Sequence, residues 1–154
     1  MSDDDKYVVE EERSMILKFA KLHPRAKAPV RKHPTDAGVD VFADGLVFVE
    51  PHAYQIVHTG LTFEIDRSCM LLAFPKSGSN FLIGGGVFDP GYQGEILVKV
   101  VNFGDEELCI DRGDAVCQLV QVPILTDPLE EMPLGQIHQV ASDRGTDGGI
   151  VRQL

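Results

Sequence analysis

From Val39 to Val122 the chain is written almost entirely in short apolar runs separated by turn residues, and no stretch sustains a helical period. The runs are Val39 to Ala43, Leu46 to Val49, Tyr54 to His58, Leu61 to Ile65, Cys69 to Phe74, Glu95 to Asn102, Glu107 to Ile110 and Ala115 to Val122. Asp44-Gly45, Pro51-His52 and Arg112-Gly113-Asp114 punctuate them, as does a glycine-rich stretch near the middle, at spacings of about eight to twelve residues. That rhythm predicts an all-β sandwich, a jelly roll being the best match. Met15 to Leu22 could be helix or strand on pattern alone, but the prolines at 24, 29 and 34 favour strand followed by loop.

A chain of 154 residues suits one domain with a real core. The expected organisation is an acidic tail over 1–13, a β domain over 14–141 and a glycine- and arginine-containing segment over 142–154. The tail lacks the basic start and apolar core of a secretory signal, and no apolar run approaches the length of a membrane span, so a cytoplasmic protein without a membrane partner is expected. A formal net charge of −10 argues against nucleic acid as a partner, because phosphate-backbone binding relies on a basic face.

Cys69, Cys109 and Cys117 have no Cys-x-x-Cys spacing and lie in strand-like runs, which predicts reduced core residues. The five histidines are scattered, with no His-x-x-x-His pair, so a zinc site has little support in the sequence. Ile96-Leu97-Val98 and Val100-Val101 are apolar on both faces of a strand. Such strands predict burial against another subunit, and so a closed oligomer.

The central stretch, residues 84–94, sets five glycines around one carboxylate, Asp89, and one ring, Tyr92. Glycine runs are kept where backbone must come close to something or take positive φ. The amides of Gly84 to Val87 could therefore approach a flat ligand, while Pro90-Gly91 forms a tight turn presenting Asp89 and Tyr92 together.

Read in order, Asp36-Ala37-Gly38-Val39-Asp40, Phe74-Pro75-Lys76-Ser77-Gly78, Gly86-Val87-Phe88-Asp89-Pro90-Gly91-Tyr92-Gln93-Gly94, Arg112-Gly113-Asp114 through Gln118, and Arg144-Gly145 with Gly148-Gly149 resemble the five motifs of the trimeric dUTPase family. The resemblance covers residue 36 to the end. It implies a jelly-roll homotrimer with active sites between subunits, each completed by a neighbour's C-terminal segment. It also implies magnesium-dependent hydrolysis of dUTP to dUMP and pyrophosphate, which supplies dUMP and keeps uracil out of DNA.

By the same resemblance Asp89 activates the attacking water, and Asp40 helps organise the waters around Mg2+ without binding the ion directly. Tyr92 stacks under the deoxyribose, leaving no room for a 2′-hydroxyl. Lys76, Ser77, Gly78 and Gln118 contact the phosphates. A hairpin over about Leu82 to Val87, including Gly86 and Val87, reads the uracil edge, and Arg144, Gly148 and Gly149 belong to the closing segment. Asp114 reads as a turn residue.

Three departures stand out. Lys76 replaces the family's arginine and gives up its planar fork, the chain between Ser77 and Asp89 is short, and the last motif lacks its phenylalanine. These keep three alternatives in play: a dCTP deaminase, a diphosphatase for a modified pyrimidine, and a catalytically weak nucleotide-binding regulator.

Overall fold

The computed structural model describes residues 16–145. Eleven short strands carry the fold: β1 (Lys18–Lys21), β2 (Gly38–Phe42), β3 (Val47–Val49), β4 (Tyr54–His58), β5 (Leu61–Glu64), β6 (Cys69–Phe74), β7 (Leu82–Ile83), β8 (Gly86–Phe88), β9 (Leu97–Val101), β10 (Leu108–Ile110) and β11 (Ala115–Pro123). All named pairings are antiparallel, in a four-stranded sheet β2-β11-β6-β8, a three-stranded sheet β4-β9-β7, and two pairs, β1-β5 and β10-β3. This is the expected all-β jelly roll. Among the described residues, no helix is long and apolar enough to cross a membrane.

Alternation decides which side chains point inward. In β6, Cys69, Leu71 and Ala73 are buried while Met70 and Leu72 are only partly so. In β2, Val39 and Val41 are buried and Asp40 between them faces the other way. The core collects Val41, Val49, Val57, Leu61, Leu71, Ile96, Val100, Ile110, Val116 and Leu119. Its two buried polar side chains are satisfied. Thr59 Oγ1 donates to the Ile96 carbonyl at 2.7 Å, and Asn102 Nδ2 donates to the Val49 and Glu106 carbonyls at 3.0 and 2.7 Å.

β11 carries a bulge between Ala115 and Cys117, after which its alternation resumes. The extra residue lets Val116 and Cys117 both face the core and sets Gln118 opposite Asp40.

Two expectations need correction. Cys109 is exposed, because in β10 it takes the outward position opposite Phe48, itself on the surface; Cys69 and Cys117 are buried as expected. Nor does 82–87 close into a hairpin. β7 pairs with β9 and β8 pairs with β6, so Gly84-Gly85 carries the chain from one sheet to another. The Gly84 amide is consumed in that crossing, donating to the Lys99 carbonyl at 2.8 Å.

The outward face of β4-β9-β7 shows Tyr54, Ile56, Leu82 and Leu97 exposed, with Tyr54 and Leu82 on either side of Val101, Ile56 opposite Lys99 and Leu97 opposite His58. Beyond β11 the chain runs from Leu125 to Gly145 with every residue exposed and one short 3-10 turn at Leu134–Gln136. It carries Leu125, Leu129, Leu134 and Val140 uncovered by its own chain.

Candidate active site

Three of the sequence motifs meet at one end of the four-stranded sheet. The register sets Gln118 of β11 opposite Asp40 of β2 on one side and opposite Phe74 of β6 on the other. Just past Phe74 the chain turns, and Lys76 Nζ reaches back to Asp40 Oδ1 at 2.6 Å. This ion pair is partly buried, with the Asp40 side chain 17% exposed. Gln118 Nε2 donates to the Pro75 carbonyl at 3.2 Å, bracing the same turn. Gly38 makes room for it: a Cβ there would lie 2.1 Å from Gln118 Oε1. Ser77 and Gly78 form the exposed tip, closed by the Ser79 amide donating to the Lys76 carbonyl at 3.1 Å.

Asp114 is a turn residue as expected. Its carboxylate accepts from the Asp111 amide at 2.8 Å, and Gly113 at φ +86 supplies the left-handed corner. Gly38 as the gap that seats Gln118 went unassigned in the sequence reading, although the small residue two before Asp40 was the available signal.

The Asp89 motif forms the turn read from sequence. The Tyr92 amide donates to the Asp89 carbonyl at 3.1 Å around Pro90 and Gly91, and Gly91 has φ +81, the pattern of a type II turn. Asp89 is exposed and makes no ion pair among the described residues. Tyr92 is fixed on three sides. Its ring leans on Phe88 with centroids 5.8 Å apart, its hydroxyl donates to the Glu95 carbonyl at 2.8 Å, and the bare Gly94 lies beneath that hydroxyl, where a Cβ would be 2.5 Å away. Tyr92 as a residue is still 39% exposed, so it can meet a ligand without moving.

Gly86 and Val87 lie in β8, paired with Ala73 and Leu72. β8 is an edge strand, so the backbone groups on its far side have no ladder partner among the described residues. An open edge replaces the expected hairpin as the backbone surface a flat base could use.

These two halves do not meet within one chain. Asp89 follows Phe88, which pairs with Leu71, whereas Lys76 follows Phe74 at the other end of β6. Met70 to Phe74 alone spans about 13 Å at roughly 3.3 Å per residue. The halves also border different clefts: Tyr92 lines one with Phe19, Phe63 and Thr62, while Lys76 and Gly78 line another with Cys109 and Asp114. Arg144 and Gly145 form an exposed turn, the Gly145 amide donating to the Ser142 carbonyl at 3.1 Å, remote from both halves in sequence and held by no core contact. Gly148 and Gly149 lie outside the described residues.

A family model described as dUTPase matches residues 24–150. The deoxyuridine 5'-triphosphate nucleotidohydrolase of Fowl adenovirus A serotype 1 is 36% identical over 137 residues, spanning 86% of this chain and 77% of that protein. A protein of the same description from Picosynechococcus is 33% identical over 141 residues, 87% of this chain and 96% of that one. Among solved structures, Staphylococcus bacteriophage 80alpha dUTPase with dUPNHPP superposes with a TM-score of 0.80 at 25% identity, over 88% of this chain and 96% of that one. A mutant dUTPase from phage phi11 of S. aureus, described as coordinating a structural Mg(II) ion, gives 0.72 at 26% identity over 76% and 96%.

Proposed function

This chain belongs to the dUTPase family, and from that premise we propose that it hydrolyses dUTP to dUMP and pyrophosphate in sites built between the subunits of a homotrimer. The activity rests on the family match and on relatives described as deoxyuridine triphosphate nucleotidohydrolases. The observation that carries the shared site is the separation of the Asp89 turn from the Lys76 turn along β6. A general base must lie within hydrogen-bond reach of its water, so a phosphate grip more than about 13 Å away cannot serve the same substrate. Bringing the Asp89 half of one copy to the Lys76 half of another closes that gap. The exposed outer face of β4-β9-β7 and the uncovered apolar residues of 125–140 favour the same assembly, since both expose surface that another copy would bury.

In this reading the Asp89 carboxylate takes the proton from the attacking water. The Tyr92 ring, locked by Phe88 and Gly94, fills the space a 2′-hydroxyl would need, which excludes ribonucleotides by shape. The free edge of β8 at Gly86 and Val87 offers backbone donors and acceptors to the uracil edge, and a wrong base would leave them unpaired. Ser77, the Gly78 amide and Gln118 hydrogen-bond the phosphates, where negative charge builds on the leaving pyrophosphate. An incoming triphosphate competes with Asp40 for Lys76 Nζ. Arg144, Gly148 and Gly149 belong to the segment that closes over the nucleotide from a neighbour.

Magnesium fits the first half of the site. Asp40 is a hard oxygen donor with one oxygen held by Lys76 and the other without a hydrogen bond among the described residues, an arrangement suited to holding a metal through water. When bound, Mg2+ supplies charge neutralisation of the triphosphate.

The test is pyrophosphate release from a panel of nucleotides. Release is expected from dUTP but not from UTP or dCTP, with Asp89→Asn lowering kcat at least about 100-fold. Equal turnover in Asp89→Asn removes that residue as the base, and ammonia release from dCTP replaces the reading with a deaminase.

A further inference from the structure

Where the ends of several strands come together, three ligand-type side chains from separate segments converge. His23 lies in the turn after β1, Asp44 just after β2, and Glu95 just ahead of β9. One donor atom from each lies within 4.8 Å of the other two, and all three residues are half-buried. His23 Nε2 stands 2.8 Å from Asp44 Oδ2. Both oxygens of Glu95 are held, Oε2 by His58 Nδ1 at 2.5 Å and Oε1 by the Gly60 amide at 3.2 Å. The Asp44 amide donates to the His58 carbonyl at 2.9 Å, so the backbone fixes that carboxylate beside the same strand end.

Gly60 is what allows the convergence. It has φ +68, and a Cβ there would lie 2.7 Å from both His23 Nε2 and the Ala26 methyl. The ion-pair partners of Asp44 and Glu95 among the described residues are the histidines His23 and His58, with no lysine or arginine within salt-bridge distance of either. Two half-buried carboxylates paired with two imidazoles, and with no permanent cation in salt-bridge contact, leave negative charge that a bound cation can neutralise.

We propose that His23, Asp44 and Glu95 bind a divalent transition-metal ion of the zinc class, with His58 as the positioning residue that orients Glu95. One imidazole and two carboxylates suit zinc, cobalt or nickel, whereas magnesium favours an all-oxygen octahedron. Ligand distances of about 2.0–2.2 Å put tetrahedral ligand atoms roughly 3.3–3.5 Å apart, so the 2.8 Å His23–Asp44 pair opens by about half an ångström and the wider pairs close. The ion replaces the proton now shared between His23 Nε2 and Asp44 Oδ2, and a water completes the fourth position. The displaced ring proton passes to Nδ1, a buried atom with no hydrogen-bond partner among the described residues. Lacking that second support, the site binds about 10–100-fold more weakly than one whose histidine is braced.

The ion would pin the ends of β1 and β2 to the start of β9. It also reaches the nucleotide half of the fold, because Tyr92 Oη donates to the backbone carbonyl of Glu95. The site is independent of the proposed hydrolysis, and so is its test.

Full-length protein stripped with chelator and dialysed against zinc alone should retain one ion per chain and melt at a higher temperature, with magnesium alone giving neither effect. Cobalt should give the intense visible bands of four-coordinate geometry. His23→Gln and Asp44→Asn should abolish retention, and His58→Ala, whose ring is 59% exposed and dispensable for packing, should weaken it about 10–100-fold. No uptake by the wild type overturns the proposal, as does uptake undiminished in His23→Gln. If those variants fail to fold, the wild-type cobalt spectrum decides, a pale six-coordinate spectrum overturning it.

Discussion

At the residue scale, the buried thiol of Cys117 shows how one side chain in the sheet feels the candidate site beside it. Burial pushes its pKa up from 9.0 to about 12, and the neighbouring Asp40 carboxylate adds to the shift. A group whose folded pKa is raised contributes stability that is fully present below its unfolded pKa and is lost as pH rises through the folded value. The window is therefore about pH 9 to 12. Denaturant unfolding across it should show stability of the wild type falling with pH more steeply than that of Cys117→Ala, whatever cavity cost the variant carries at neutral pH. Parallel slopes would show that the thiol ionises as easily in the fold as out of it. The same alternation that buries Cys117 puts Cys109 outside. Both lie in strand-like apolar runs, and sequence alone does not say which face of β10 meets the core, because its neighbours Leu108 and Ile110 are apolar too.

At the scale of elements, the strands were legible wherever alternation or an apolar run was bounded by turn residues. β4 and β6 match the sequence reading residue for residue, and six further runs differ from it only at their ends. β7 and β8 were not legible as separate strands, because the glycines from 84 to 86 read as part of one hairpin and their partners, β9 and β6, are set by tertiary packing rather than by a local turn. The Asp89–Tyr92 turn was legible for the opposite reason: proline followed by glycine fixes its geometry locally. The contact between β2 and β11 yields a prediction at this scale. Gly38→Ala places a methyl against Gln118 and forces its amide off the Pro75 carbonyl. Most of the clash falls on the end of a side chain that can rotate away, so the melting temperature should change little while the proposed Gln118 contact to the phosphates is lost. One such hydrogen bond to a charged group is worth about 1.5 kcal/mol, or roughly tenfold. Steady-state kinetics should show KM for dUTP raised by about that factor with kcat nearly unchanged; a fall in kcat with constant KM would mean that Gln118 acts in the transition state instead.

At the scale of the whole molecule, what the sequence could not show is which distant residues become neighbours. His23, Asp44, His58 and Glu95 look scattered along the chain, and only the joining of four strand ends makes them a cluster. The converse holds for the motifs: they follow one another in sequence as if forming one site, yet the register of β6 holds Asp89 and Lys76 apart. If the halves belong to different copies, two defective chains can repair one another. Asp89→Asn alone lacks the proposed base, and a Lys76→Ala/Ser77→Ala chain lacks the proposed phosphate grip, so each homotrimer should be nearly inactive. In a trimer assembled at random from equal amounts of the two, a site is intact when its base comes from the second variant and its grip from the first. Each condition holds with probability one half, so co-refolded mixtures should recover about a quarter of wild-type activity. Mixing the already assembled homotrimers without refolding should recover none until subunits exchange. A site contained in a single chain predicts no recovery under either protocol, because every chain in the mixture would still carry one defective half.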